Sequence, residues 1–501
     1  MLAALLCCLP ALEDASPYVD DPARPNVLFM IADDLNCDLG CYGHERVQSP
    51  NIDRLAATGL RFERAYCQVP LCSPSRTSML TGLAPGRTGI YRNPGGKRTG
   101  DGQYPGGHFR NVVPDVVTLP QRFKDAGYFS ARVGKLYHYN VPGGTGTLFD
   151  IGTDGLDDPL SWQYVVNPAG RDVAEQHRIF SVTPGQFGGS LSWYASDGTD
   201  GEQTDGLAAT AAVGLLNRSP AKNRKPDFYD DRPFFLAVGF YRPHTPYVAL
   251  KSDFEQYPAD DTPLPALSED DRDRKPAEAY RSDKAASRKL SDDQKRQCIS
   301  AYHASITLMD RQVGRVLDEL ERLGLDDSTI VIFTSDHGYH MYDHGIWQKQ
   351  SLFENSARVP LIVRVPKAVR AAAARGESTA ALAGLIDLYP TLAELAGLET
   401  PNGLDGVSLV PVLDDPEASV RESVLSEAAG KTHGVSVRTD RYRYTEYRRD
   451  DGSAAARLLF DYQTDPREMR NLADDPASED IIAALSKQLP PADATASPER
   501  E

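Results

Sequence analysis

Four apolar runs dominate the pattern of hydrophobic and polar positions along the chain. They are NVLFMIADD, YFSARVGKLYH, PFFLAVGFYRPH and STIVIFTSDHG. Runs that are short and nearly continuously apolar are typical of strands buried on both faces of a parallel sheet. Each run ends in polar residues of chemical interest, which are Asp33 and Asp34, Lys135 and His138, His244, and Asp336 and His337.

Helical segments alternate with these strands. The stretch SPNIDRLAATG begins with Ser-Pro and ends at Gly59, and residues 292–323 carry apolar side chains at helical spacing before Gly324. This alternation predicts an α/β fold built on a large doubly wound sheet, parallel or mixed, with helices on both faces. Such sheets bind ligands outside the carboxyl ends of their strands, so we expect the four polar termini at one edge.

The remaining segments predict loops and a smaller second domain. Residues 141–225, rich in Gly, Asp and Ser, indicate long loops around the mouth of a pocket. Near the C-terminus, GVSVRTDRYRYTEYRRDDGSAAARLLFDYQTDP alternates around a DDG turn and favours an antiparallel hairpin. The predicted organisation is a leader and linker (1–23), a large domain (24–412), a small C-terminal α+β domain (413–490) and a disordered tail (491–501).

Composition narrows the class of partner. The 501 residues include 54 Lys and Arg against 71 Asp and Glu, a net charge of −17, which argues against a nucleic-acid partner. An acidic protein binds an anionic substrate only through a local cationic pocket. Arg441, Arg443, Arg448 and Arg449 alternate with tyrosines in the predicted hairpin, and we expect a solvated face or a contact with an anionic saccharide.

The start of the chain and its cysteines indicate the compartment. MLAALLCCLPALEDASP resembles the apolar region of a signal peptide, although the basic segment that normally precedes it is missing. We therefore expect a secreted or periplasmic protein, lysosome-like in a eukaryote, without a membrane span. Seven unevenly spaced cysteines do not indicate a disulfide framework or a zinc site, although Cys37 and Cys41 are close enough in sequence to pair.

One cysteine stands in an unusual setting. In PLCSPSRTSMLTG, Cys72 and Arg76 flank a predicted helix start, with Ser73 as the cap and Gly82 as the stop. The backbone N–H groups of a first helical turn favour negative charge and activate thiols. The alternative is a buried cysteine that acts only as a small hydrophobic residue.

Three carboxylates are predicted at the same sheet edge. Asp33, Asp34 and Asp336 are costly to bury without a cation, and together they suit Ca²⁺ or Mg²⁺. The imidazole of His337 is a less usual ligand for these ions and leaves Mn²⁺ open. Taken singly, each of these residues is also compatible with an ordinary turn or helix cap.

These blocks together resemble the sulfatase family. CSPSRTSMLTG is similar to the family signature C-x-P-S-R with its threonine-glycine stop, and NVLFMIADDL, VGKLYH, FFLAVGFYRPHTPY, FTSDHGYHMYDHGIWQK and LLFDYQTDPREMRNLA follow in the family's order. The resemblance covers nearly the whole chain and is greatest to the iduronate-2-sulfatase branch. It implies an alkaline phosphatase-like fold.

The resemblance also implies a mechanism. Cys72 would be converted by a formylglycine-generating enzyme to formylglycine, whose hydrate attacks sulfur with one hydroxyl and expels sulfate through the other. A divalent cation, Ca²⁺ before Mg²⁺ or Mn²⁺, would be held by Asp33, Asp34, Asp336, His337 and the modified Cys72. Arg76 and Lys135 would hold the hydrate, His138 would be the base, and His244 with Lys349 would clamp the sulfate and assist the leaving alcohol.

The sequence thus predicts a sulfuric ester hydrolase acting on a sulfated mono- or oligosaccharide, such as a 2-sulfated uronic acid. The alternatives are a phosphonate monoester or phosphodiester hydrolase of the same superfamily, a non-catalytic saccharide-binding protein, and a hydrolase that uses the unmodified Cys72 thiol. The oligomeric state is not encoded in these motifs.

Overall fold

The computed structural model describes residues 24–94, 104, 106–139, 153, 155–218, 232–267 and 272–491. The predicted leader and residues 492–501 of the predicted tail lie outside this part of the chain. No helix among the described residues combines the length and apolarity needed to cross a bilayer.

Seventeen strands are present in the described part of the chain. They are β1 (Asn26–Asp33), β2 (Leu60–Tyr66), β3 (Phe129–Gly134), β4 (Tyr164–Val166), β5 (Phe180–Ser181), β6 (Ser192–Ser196), β7 (Phe234–Pro243), β8 (Tyr247–Leu250), β9 (Thr329–Ser335), β10 (His340–Met341), β11 (Trp347–Gln348), β12 (Arg358–Arg364), β13 (Glu377–Gly384), β14 (Ser423–Ala428), β15 (His433–Thr439), β16 (Tyr442–Arg448) and β17 (Ala454–Asp461).

The α-helices of the same residues are α1 (Pro50–Ala56), α2 (Cys72–Thr81), α3 (Pro85–Thr88), α4 (Leu119–Asp125), α5 (Arg171–Ala174), α6 (Thr204–Leu216), α7 (Lys251–Phe254), α8 (Asp292–Arg322), α9 (Glu354–Ala357), α10 (Leu388–Leu395), α11 (Val410–Asp414) and α12 (Glu479–Ser486). Short 3₁₀ turns connect several of them.

The large sheet has eight strands in the order β13-β2-β12-β9-β1-β7-β3-β4. Its central strands β9, β1, β7 and β3 are parallel neighbours, whereas β12 runs antiparallel to both β2 and β9. The predicted mixed, largely parallel α/β sheet is therefore confirmed. The four apolar runs of the sequence are its four central strands.

Both faces of this sheet are covered, as the continuous apolar runs require. Along β1, Leu28, Met30 and Ala32 pack into one core cluster, and Val27, Phe29 and Ile31 pack into another. The first cluster includes the apolar stripe of α8, and the second includes residues of α2, α4 and α10. Because side chains alternate along a strand, a strand between two helical layers must be apolar at every position.

The middle of the chain is more ordered than its composition predicted. Within the predicted loop region 141–225, the structure has the thirteen-residue helix α6 and the strands β4, β5 and β6. The prediction of loops alone was wrong for these residues. The sequence TDGLAATAAVGLL lacks an amphipathic stripe because its small residues are apolar nearly all round, and Ala208, Ala209 and Ala212 let α6 pack closely against the sheet.

The C-terminal region forms an antiparallel sheet in the order β14-β15-β16-β17. The predicted hairpin corresponds to β16 and β17, which pair on either side of the DDG turn. The predicted solvated arginine face is wrong for Arg443 and Arg448, which are buried, and fits the exposed Arg441 and Arg449.

Arg443 is buried because its face of β16 meets the large domain. Its guanidinium forms an ion pair with Glu354 at the start of α9, and its Nε lies 3.0 Å from Glu468 Oε1. Arg438 lies on the same carboxylate of Glu354, at 3.6 Å, and its guanidinium stacks over the ring of Tyr462. Burial opposes the charged form of Glu354, but these arginines outweigh it and lower its pKa to about 2.

Candidate active site

The ends of the four central strands form one edge of the sheet. Asp33 ends β1, Asp336 follows β9, His244 follows β7 and Lys135 follows β3. Since β1 lies between β9 and β7, with β3 next to β7, these side chains are neighbours across the sheet. The expected gathering of polar residues at one edge is confirmed.

Cys72 occupies the first position of the buried helix α2, at this edge. The helix begins at Cys72 itself, with Leu71 at the capping position and no side-chain cap, so Ser73 is not the cap that the sequence predicted. Gly82 ends the helix in a left-handed conformation at φ 69°, as expected. The Ser75 hydroxyl donates a hydrogen bond to the backbone carbonyl of Asp336 and ties α2 to the end of β9.

The thiol of Cys72 is surrounded by cationic and metal-ligating groups. Its Sγ lies 3.0 Å from Lys349 Nζ, 3.4 Å from His337 Nε2 and 3.9 Å from Asp34 Oδ1. Burial opposes thiolate formation, but Lys349 and Lys135 outweigh it and hold the pKa of the Cys72 thiol well below its usual range. This environment favours an anionic group on residue 72, which a purely structural cysteine does not need.

Arg76 lies one turn along α2 and is completely buried. Its Nε lies 2.8 Å from Asp336 Oδ2 and its Nη2 lies 3.2 Å from Asp33 Oδ1. Its Nη1 donates to the backbone carbonyls of Lys135 and Leu136. One guanidinium thus joins the ends of β1, β3 and β9, which a lysine with a single nitrogen could not do.

Four residues at this edge form a cluster of potential metal ligands. Asp34, Cys72, Asp336 and His337 are all buried, and each offers a ligand atom within 4.8 Å of the others. Two carboxylates, a nitrogen and residue 72 form a compact donor set that fits one divalent cation. Burial raises the pKa of Asp336 to about 6 against the effect of Arg76.

The fifth predicted ligand, Asp33, faces elsewhere in this structure. Its two carboxylate oxygens meet Arg76 and Lys135, and it is outside the group of four. Burial opposes its ionisation, but Lys135, His244 and Arg76 outweigh it and hold the pKa of Asp33 well below its usual range. Asp33 is therefore ionised at the edge of the donor set.

A strained hairpin presents Lys349. β10 and β11 pair through His340 with Gln348, and the chain then carries left-handed residues at Gln348 (φ 70°) and Gln350 (φ 77°). A left-handed conformation costs a non-glycine residue roughly 1–2 kcal/mol, so it persists where the surroundings fix it. The result is a buried ammonium group that forms an ion pair with Asp34 and lies against Cys72.

Two histidines complete the set around residue 72. His138 is half-buried, and its Nδ1 lacks a hydrogen-bond partner among the described residues. Burial lowers the pKa of His138 despite its hydrogen bond with Cys72, which favours a neutral ring able to accept a proton. His244 lies with its Nε2 3.6 Å from Asp34 Oδ2, and its Nδ1 is 2.6 Å from the carbonyl of Thr245.

Sequence reasoning missed the carboxylates that position the end of β7. Asp205 of α6 accepts hydrogen bonds from the backbone N–H groups of Tyr241 and Arg242, and Asp172 forms an ion pair with Arg242. Burial raises the pKa of Asp205 to about 6. Both acids fall in the segment predicted as loops, and their only signal was an acidic residue near the start of an unrecognised helix.

A cavity of about 620 Å³ opens onto this edge. Its described lining includes no aspartate or glutamate, and its basic residues are Lys135, His138, His244, Arg281, Lys284 and Lys349. The local cationic pocket expected for an anionic substrate is present in this acidic protein. All five cysteines of the described chain are free, so Cys37 and Cys41 do not form a disulfide in this structure.

Comparison with known proteins identifies the family. A family model described as Sulfatase matches residues 25–398, and one described as N-sulphoglucosamine sulphohydrolase, C-terminal, matches residues 342–494. The chain is 33% identical to iduronate 2-sulfatase of Homo sapiens over 75% of this chain and 70% of that protein. It is 30% identical to choline-sulfatase of Rhizobium meliloti over 90% of this chain and 83% of that protein.

The fold has a solved counterpart. The phosphonate monoester hydrolase of Agrobacterium radiobacter superposes with a TM-score of 0.72 at 22% identity, covering 93% of this chain and 94% of that one. This likeness confirms the alkaline phosphatase-like architecture. With the signature at residues 72–82 and a family model that spans most of the sequence, the chain belongs to the sulfatase family, whose members hydrolyse sulfuric esters.

Proposed function

We propose that this sulfatase removes an O-sulfate group from a sulfated carbohydrate, with residue 72 as the nucleophile. The observation that carries the proposal is the position of Cys72, buried at the start of α2 within 3.0 Å of Lys349 and 3.4 Å of His337. Lys349 and Lys135 favour negative charge on that side chain or on a sulfate beside it, and the nearby carboxylates of Asp34 and Asp336 suit a bound cation. Family membership supports the reaction class.

The nucleophile is proposed to be a formylglycine made from Cys72 by a formylglycine-generating enzyme. The hydrate of formylglycine supplies two hydroxyls on one carbon, one to attack sulfur and one to release the sulfate. The helix N–H groups and Arg76 favour negative charge at this position. A plain serine there would be trapped as a stable sulfate ester.

A divalent cation is proposed beside residue 72. Asp34, Asp336, His337 and the modified residue 72 would hold it, and Asp33 joins them if it gives up one of its cationic partners. Such an ion supplies Lewis acidity that lowers the pKa of a bound hydroxyl. Ca²⁺ is the expected ion, with Mg²⁺ or Mn²⁺ as alternatives.

Chelation by EDTA should abolish sulfate release and Ca²⁺ should restore it, whereas full activity in a metal-free protein would contradict the assignment.

The other side chains have separate proposed roles. Lys135 holds the hydrate and a sulfate oxygen. His138, held neutral by burial, takes the proton of the second hydroxyl, which forms the aldehyde again as the bond to sulfate breaks. Lys349 and His244 clamp the sulfate oxygens, and one of them gives a proton to the leaving alcohol.

The proposed substrate class is an anionic sugar, such as a 2-sulfated uronic acid of a glycosaminoglycan or an algal polysaccharide. One relative is named iduronate 2-sulfatase and another choline-sulfatase. Choline carries a permanent positive charge, and the described lining of the cavity has basic groups but no acidic one to receive it. This charge pattern favours the sugar. We also propose export of the protein, to the periplasm or the cell exterior, or to a lysosome-like compartment.

Mass spectrometry of the peptide containing residue 72, combined with an assay of sulfate release, tests the proposal. In active enzyme this peptide should carry the aldehyde. It should then be about 18 Da lighter than the peptide with unmodified cysteine, because oxygen replaces sulfur and two hydrogens are lost. Unmodified thiol at full activity would overturn the mechanism and support a thiol hydrolase.

A phosphonate monoester or phosphodiester hydrolase is the second candidate, since the fold neighbour described above bears that activity in its name. Matched assays with an aryl sulfate, an aryl phosphonate monoester and an aryl phosphate diester separate the two. If either phosphorus ester is turned over faster than the aryl sulfate, hydrolysis of that ester becomes the proposed reaction. Saccharide binding without release of sulfate would show a non-catalytic binding protein instead.

A further inference from the structure

Two basic residues on the wall of the catalytic cavity have no acidic partner. Lys135 and Lys349 at the base of the cavity form ion pairs with Asp33 and Asp34. Arg281 instead donates to the backbone carbonyls of Ala428 and Ala429, and Lys284 donates to neutral oxygen atoms. Neither side chain contacts a carboxylate in the part of the chain that the structure describes.

Lys284 spans the mouth of the cavity. Its Nζ donates to the carbonyl of Gly189 on one side and lies 2.6 Å from Gln348 Oε1 on the other. Gln348 directly precedes Lys349, while Gly189 follows Gly188, whose carbonyl accepts a hydrogen bond from Thr245 beside His244. Lys284 therefore links the segment that carries Lys349 to the loop that contacts Thr245, the neighbour of His244.

Positive charge outweighs negative charge around both groups. Burial lowers the pKa of Lys284, and Lys349 adds to the effect while Asp34 opposes it. Burial also lowers the pKa of Arg281, and Arg92 adds to the effect. A cation that lies near other cations and has no carboxylate in contact is less favourable in the free protein, and an anionic ligand relieves that cost while forming charge-assisted hydrogen bonds.

We propose that Arg281 and Lys284 form a subsite for a second anionic group of the substrate, in addition to the sulfate ester that is cleaved. This inference rests on the proposed function and narrows it to sulfate esters with at least two negative charges. The group it binds is a carboxylate or a second sulfate, since either anion offers two oxygens to the guanidinium of Arg281 and negative charge to the ammonium of Lys284. Lys349 and His244 hold the sulfate that is cleaved, and Arg281 and Lys284 hold the other anionic group.

Matched substrate pairs distinguish the two sources of charge. The carboxylate pair is methyl 2-O-sulfo-α-L-iduronopyranoside and its uronate methyl ester, which differ by one charge. The sulfate pair is glucosamine 2-N,6-O-disulfate and N-acetylglucosamine 6-O-sulfate, which also differ by one charge. For each pair, kcat and KM are measured by sulfate release, with 4-nitrophenyl sulfate as a monoanionic reference.

The wild-type enzyme should prefer the more highly charged member of one pair, and that pair identifies the second anion. Lys284→Gln and Arg281→Gln should each reduce this preference about tenfold, mainly through KM, which corresponds to one charge-assisted hydrogen bond. Lys289→Gln is the matched control, because it removes the same charge from an exposed position five residues away, outside the cavity. It should leave the preference unchanged.

Two results overturn the subsite, and they are distinguishable from failure of the proposed function. The subsite alone is excluded if both variants release sulfate with the same substrate preference as wild type. It is also excluded if the wild-type enzyme prefers the less charged member of both pairs. Absence of sulfate release from every substrate by metal-loaded enzyme with an intact aldehyde excludes the function and the subsite together. Arg281 also anchors the C-terminal sheet, so if Arg281→Gln fails to fold, Lys284→Gln decides the outcome.

Discussion

Replacement of Arg76 by methionine separates the structural from the chemical role of the most deeply buried cation at the site. Arg76 contacts Asp33, Asp336 and the backbone carbonyls that follow β3. Methionine keeps much of the side-chain volume but removes all the N–H donors. Two buried carboxylates then lose a counter-charge.

The structure gives the expected magnitude. Breaking a buried ion pair by removing one partner costs about 3–5 kcal/mol. The entropy of unfolding is about 2.1 cal/mol/K per residue, or about 1 kcal/mol/K for the 501 residues. We therefore expect the apparent melting temperature of Arg76→Met to fall by about 3–5 °C. Loss of a fixed charge beside the reacting centre should lower kcat by about 100-fold or more.

Arg110 provides a matched control away from the site. It is also buried, its Nε and Nη2 lie 3.0 Å and 2.8 Å from the two oxygens of Asp158, and it donates to two backbone carbonyls. Arg110→Met should lose a similar amount of stability by the same mechanism. Because Arg110 does not line the catalytic cavity, its kcat should stay within about twofold of wild type at temperatures where it is folded.

Two measurements check this pair of variants. Thermal unfolding followed by circular dichroism gives the melting temperatures, and initial rates of sulfate release at about 25 °C, below the transition, give the turnover. Near-normal turnover of Arg76→Met would refute the role of its charge. An equal loss of turnover in Arg110→Met would show that the activity reports general destabilisation, and the reasoning from the geometry at the sheet edge would then fail.

Two further predictions concern the clamp and the domain contact. His244→Ala and Lys349→Ala should each lose most of the turnover while far-ultraviolet circular dichroism stays native, and near-normal rates in either would show that the sulfate clamp is misplaced. Glu354→Gln should remove a pH-dependent part of the stability: the pKa of Glu354 is lowered to about 2, so its contribution is complete above about pH 5 and is lost as the pH falls towards 2. Urea unfolding measures the free energy of unfolding at pH 7 and at pH 3. Between these pH values wild type should lose roughly 2 kcal/mol more stability than Glu354→Gln does, and equal losses would contradict the assignment.

Much of the site was predictable because its residues sit at the ends of elements with strong signals. The central strands β1, β3, β7 and β9 have continuous apolar patterns, and the rule for parallel sheets then places their termini at one edge. The fold of α6 was not predictable, because a helix of alanine, glycine and leucine has no polar face to mark its period. Asp205, which helps to position the strand end before His244, lies in this helix and was missed for the same reason. Asp172 was missed because its four-residue helix α5 is too short to show a periodic pattern.

The sequence by itself determined which residues are the candidates for the chemistry, since the signature around Cys72 and the polar strand ends specify residue type and order without reference to distance. Only the tertiary structure decided how their charges are distributed. It pairs Asp33 with Arg76 and Lys135, buries Arg443 against Glu354, and leaves Arg281 and Lys284 without a carboxylate in contact among the described residues. Electrostatic energy depends on separation and burial, and neither quantity is written in the local pattern of a chain.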